Sequence, residues 1–140
     1  MSLRTTFLAR LIGLYCLIAG LCIAIRGVHT VATVTALLHD GPLVYFIGVV
    51  LLAAGLAMVL AHNVWSGGAL PVIVTLIGWV TLLKGWAFLL LSPATLAGFY
   101  LEQLHYARIF YFLAAFSLVL GLYLTVAGFR TAPLRPESGA

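Results

Sequence analysis

A chain of 140 residues that is 64% hydrophobic and only 7% charged carries far less charge than the roughly 25% of a soluble domain. Seven Lys or Arg against three Asp or Glu leave it weakly basic. The few basic residues are too scattered for a nucleic-acid surface, and the length leaves no room for a separate soluble catalytic domain beside membrane spans of about 20 residues each. The expected partners are membrane lipid and either this chain itself or another membrane protein.

The first apolar run, 6–25, follows the start "MSLRTTFLAR". Basic residues ahead of an apolar stretch mimic a signal peptide. No small-x-small cleavage site follows, so the run is expected to be a retained transmembrane helix. Cys16 and Cys22 lie inside it without CxxC spacing and read as small core side chains. The link "RGVHTVATVTALLHDG" is apolar, Thr-rich and too long for a simple turn. It fits an interfacial helix or an overhang of the first helix.

The second run, 42–61, opens with "HDGP" and the third, 71–91, with "GGALP". Both place a proline at a helix start, where a missing N–H costs nothing. Between them "AHNVW" puts His62, Asn63 and Trp65 at one membrane face. His and Asn there are suited to capping the last carbonyls of the preceding helix, and Trp65 to anchoring at the interface. "LSP" makes Ser92 an N-cap ahead of Pro93. The stretch "SPATLAGFYLEQLHYAR" has helical apolar spacing and reads as a helix leading into the fourth run, 109–129. The polar, Pro-rich tail 131–140 is expected to be disordered.

These spans predict an all-α, four-helix transmembrane bundle with both termini on one side. Each span repeats a small residue and a glycine seven positions on: Gly13 and Gly20, Gly48 and Gly55, Gly78 and Gly85, Ala114 and Gly121. Seven residues are nearly two helical turns, so each pair forms one stripe. In lipid, small residues replace the missing hydrophobic drive by letting helices approach closely. The seven-residue period predicts left-handed crossings.

Arg4, Arg10, Arg130 and Arg135 share the side of the termini, against Arg26 and Arg108 opposite. The excess predicts cytoplasmic termini, in a bacterial inner membrane, with the two longer links outside.

Lys84, beside Trp79 and Trp86 in "IGWVTLLKGWAFLLL", falls in the outer half of the third span. Its stem can snorkel, its ammonium can pair with Glu102 or Asp40, the only acids outside the tail, or it can attract an anionic ligand. The spacing predicts an ammonium within reach of Glu102 or, failing that, Asp40. His29, His39, Asp40, Glu102 and His105 all fall in the outer links. Glu102 and His105 are i,i+3 and would share a face in a continuous helix. With His29 and His39 they form a weak candidate metal set. No nucleophile elbow, HExxH, phosphate loop or CxxC is present, and no cofactor is expected. The sequence therefore predicts a small non-enzymatic membrane protein, an oligomeric conduit or a binding subunit for a lipid-like or anionic ligand. An accessory subunit of a larger membrane complex and a metal-dependent membrane protein are the alternatives.

Overall fold

The computed structural model describes residues 3–103 and 105–130. In chain order the elements are α1 (Leu3–Arg26), α2 (Val28–His39), α3 (Gly41–Ala61), α4 (Ala69–Leu90), α5 (Pro93–Ala97), a π-helical turn (Gly98–Gln103) and α6 (Tyr106–Arg130). All the described regular structure is helical. Four helices are long and apolar enough to cross a membrane: Leu3–Arg26, Gly41–Ala61, Ala69–Leu90 and Arg108–Arg130. The chain is therefore a multi-pass membrane protein with an all-α fold. The tail expected over 131–140 lies outside the described residues.

Local chemistry sets the boundaries. Asp40 N-caps α3: the Leu43 N–H donates to its Oδ1 at 3.1 Å, with Pro42 in the first turn. Ser92 does the same for α5, accepting from the Thr95 N–H at 3.2 Å ahead of Pro93. The first link is a separate helix, α2, and not an overhang of α1, because Gly27 breaks the chain at φ 52°, a conformation that costs glycine little. Inside α2, the Thr33 and Thr35 hydroxyls donate to the carbonyls four residues back, each at 2.9 Å. That satisfies both hydroxyls within the helix itself. The stretch before the fourth span is not continuous with it. It ends in the π turn, and His105, at φ 49°, interrupts the helix before α6.

The four long helices form two antiparallel pairs, α1 with α6 and α3 with α4. Small residues mark both interfaces. A Cβ built on Gly13 would lie 2.6 Å from the Thr125 nitrogen, and one on Gly121 would lie 2.7 Å from the Leu17 nitrogen. In the other pair, a Cβ on Gly55 would run into the backbone of Leu82, and one on Gly85 into that of Leu52. Gly48 faces Leu89, Gly78 faces Met58 and Gly20 faces Leu118.

The pairs meet at the end that holds the termini. Leu8, Ala9 and Ile12 of α1 pack with Leu70 and Val74 of α4 and Leu124 of α6, with Cys16, Ile73 and Ile77 against them. At the opposite end, the link end, a second core joins Leu38 of α2, Val44 of α3, Phe88 of α4, and Leu96 and Ala97 of α5. No residue of α1 beyond Cys16 belongs to either core. The pairs are thus closed together at the terminal end and bridged by α2 and α5 at the link end.

Candidate functional site: a lysine-bearing groove at the link end

Lys84 follows Ile77 by seven residues and Ile73 by eleven, so the three share one stripe of α4. At the terminal end this stripe meets α1. Further along, the same face lines a groove of about 330 Å³ with α5 and the π turn. Val80, Leu83 and Ala87 of α4, with Leu91 just past its end, form one wall with Lys84. Phe88, Leu96, Phe99 and Tyr100 complete it. The aromatic rings brace one another edge to face: Phe88 and Tyr100 centroids are 6.1 Å apart, Phe99 and Tyr100 5.6 Å.

Lys84 is exposed on the isolated chain, six residues short of the end of α4 at Leu90, about 9 Å along the axis at 1.5 Å per residue. None of the groove residues is acidic. The pairing with Glu102 or Asp40 expected from sequence is not formed among the described residues. Asp40 is occupied as the α3 N-cap. Glu102 is exposed on the π turn, whose Phe99 and Tyr100 are the residues that line the groove. Trp86 is exposed beside Lys84 in sequence but is not part of the lining.

Trp79 belongs elsewhere than its place in the sequence suggests. Its indole N–H donates to Asn63 Oδ1 at 3.4 Å, and Trp65 donates to the same oxygen at 2.8 Å. Asn63 therefore gathers two indoles at the terminal end and does not cap α3. His62 caps it through its backbone, donating to Met58 O at 2.8 Å, while its buried ring donates to Pro71 O at 3.3 Å. Thr75, fully buried, donates to Val64 O at 3.0 Å and accepts from Val64 N at 3.1 Å. These bonds fasten the 62–68 turn along α4. Thr75 carried no sequence signal, since its role depends on where the turn folds back.

The outer histidines and acids are not brought together. Among the described residues no three His, Cys, Asp or Glu side chains form a group able to hold a metal. His29 is exposed near the start of α2, and His39 donates to Thr35 O at 2.7 Å at its end. Glu102 and His105 do not share a helical face, because the positive φ of His105 breaks the periodicity between them.

A second cation has defined geometry at the terminal end. Arg10 Nε donates to Gly128 O at 2.9 Å, and its Cζ lies 4.6 Å from the centroid of the Phe129 ring. The sequence used Arg10 only as a marker of sidedness. Gly128 leaves room for its stem, since a Cβ there would sit 3.1 Å from Arg10 Cγ.

No protein-family model matches the chain, and no curated protein or solved structure is detectably similar to it.

Proposed function

We propose that the protein is a non-enzymatic binding protein of the bacterial inner membrane that takes an anionic, lipid-like molecule into the groove beside Lys84. The observation that carries this reading is an ammonium on the wall of an apolar, aromatic-braced groove with no acid in its lining. A cation within a membrane span is costly unless neutralised or brought to the interface. An amphiphile with an acidic head neutralises Lys84, and its chain matches the surrounding Leu, Val and Phe surface. The packing of Leu8, Ile12, Leu70 and Val74 between the helix pairs at the terminal end favours a binding site over an open conduit through a single chain.

The test compares oleate with the neutral oleyl alcohol, by displacement of a fluorescent fatty acid from purified protein. Lys84→Met should weaken oleate at least tenfold, the loss of roughly one charge-assisted hydrogen bond, and leave oleyl alcohol unchanged. Equal oleate affinity in the variant rejects the reading.

The orientation that fits is termini in the cytoplasm. Arg4, Arg10 and Arg130 mark the terminal end, whereas Arg26 and Arg108 share the link end with Asp40 and Glu102. The positive-inside rule favours the former as cytoplasmic, and the Lys84 groove then opens in the outer leaflet. Single cysteines at Ser2 or Ser138, with Cys16 and Cys22 replaced, should resist a membrane-impermeant maleimide on intact cells. Labelling from outside reverses the orientation.

A further inference from the structure

The Arg10 arrangement is independent of the Lys84 groove and lies at the other end of the bundle. From Arg10 to Arg26 is sixteen residues, about 24 Å of helix, against a hydrocarbon thickness of about 30 Å. Arg10 is also level with Gly128, near the end of α6 at Arg130, and two residues from both Leu8 and Ile12, which pack against the start of α4. Its long stem can therefore reach one border of the apolar layer, where headgroup phosphates lie.

Its side chain is held on two sides. The Nε–H is committed to the carbonyl of Gly128, in the last turn of α6, where helix carbonyls lack intrahelical donors. The Phe129 ring fixes the plane by a cation–π contact. Gly128 makes this possible by leaving room for the Arg10 stem. The two Nη groups have no partner among the described residues. A guanidinium that has spent Nε and kept both Nη groups presents a fork, the geometry that binds a phosphate through two parallel hydrogen bonds. Arg4 and Arg130 are exposed at the same end, and no described acid accompanies them, since Asp40 and Glu102 are at the link end.

We infer that Arg10, seated on Gly128 and Phe129, is a binding site for the phosphate of an anionic glycerophospholipid in the leaflet at the terminal end. Charge complementarity selects the occupant. A lipid with a net negative head is drawn by the three arginines, each worth attraction to an anionic surface, whereas a choline head would set a second cation beside them. The lipid caps the Arg10 fork and so holds α1 to the end of α6.

The experiment places the full chain in nanodiscs of phosphatidylcholine with a minority of phosphatidylglycerol, releases it into mild detergent and counts retained lipids by native mass spectrometry. Wild type should retain phosphatidylglycerol well above its share of the bilayer. Measured on the Lys84→Met background, which removes the cation of the groove, Arg10→Gln should lose that enrichment by roughly tenfold, the equivalent of one charge-assisted hydrogen bond. Arg10→Lys preserves the charge but not the fork, and should lose most of the enrichment. Absence of enrichment in the wild type overturns the site with no need of a variant. Full enrichment in Arg10→Gln or Arg10→Lys also overturns it, reducing the arginines to a diffuse positive patch. Displacement of the lipid by millimolar inorganic phosphate would assign the fork to free phosphate instead.

Discussion

The α1/α6 pair and the α3/α4 pair both bring glycine against backbone, Gly13 on Thr125 and Gly121 on Leu17 in the first, but they differ in what else crosses the interface. In α3/α4 the chain turns back within a few residues, so the partners are neighbours by connectivity. Their contact is glycine against backbone: Gly55 on Leu82 and Gly85 on Leu52. In α1/α6 the partners are about a hundred residues apart in sequence, and polar side chains cross the interface. Ser117 Oγ donates to Cys16 O at 3.0 Å and Arg10 Nε to Gly128 O at 2.9 Å. The Thr125 hydroxyl, buried without a partner among the described residues, lies against Gly13. Apolar packing in lipid does not favour one sliding register strongly over the next, since acyl chains are as apolar as leucine. A pair without a short connecting turn gains register from hydrogen bonds at fixed heights. A pair with one can rely on glycine fit alone.

The sharpest way to break this contrast is a methyl group at matched glycines. Gly85→Ala should cost about 2–3 kcal/mol, because the new Cβ meets Leu52 backbone that cannot rotate away. Gly20→Ala should cost less. Its Cβ would meet Leu118 Cγ at 2.9 Å, a side chain that has to turn but not a backbone, and alanine's gain of about 1 kcal/mol in helix propensity offsets part of the adjustment. Thermal unfolding in detergent measures both, and equal losses would erase the distinction between glycine seated on backbone and glycine seated on a side chain. A smaller effect sharpens it. Ser117→Ala should cost about 0.6 kcal/mol, the average for a hydrogen bond between membrane helices. Its clearer signature is register: disulfide crosslinking between cysteines replacing Leu17 and Leu118, side chains already in this interface, should broaden to neighbouring positions in the variant. A crosslinking pattern identical to that of the otherwise unsubstituted chain would mean that glycine packing fixes α1/α6 as well.

Much of the architecture was legible residue by residue. Long uncharged runs have one physical solution in a bilayer, a helix that satisfies its own backbone, and the spans fell within a few residues of where hydropathy placed them. Asp40 with Pro42 and Ser92 with Pro93 announced helix starts that depend on two or three adjacent residues. The heptad of small residues marked one face of each long helix. What it could not state was the partner, because a stripe of glycine fits any close neighbour. The pairing of α1 with α6 and α3 with α4, and the shortness of the contact between pairs, belong to the packed chain.

The candidate site divides in the same way. The sequence by itself determined that a lysine stands within an apolar span and that few acids exist to meet it. The tertiary structure decided that neither acid does. Asp40 is committed to a helix cap three residues away, and a π turn of six residues presents Phe99 and Tyr100 to the groove while Glu102 stays exposed. It also decided that Trp79 serves Asn63 at the terminal end, and that Arg10 lies across Gly128 and Phe129. Hydropathy and capping depend on groups a few residues apart, which a single strand of sequence displays. Pairing of a charge depends on which distant helix turns its face toward it, and that is fixed only when the helices pack.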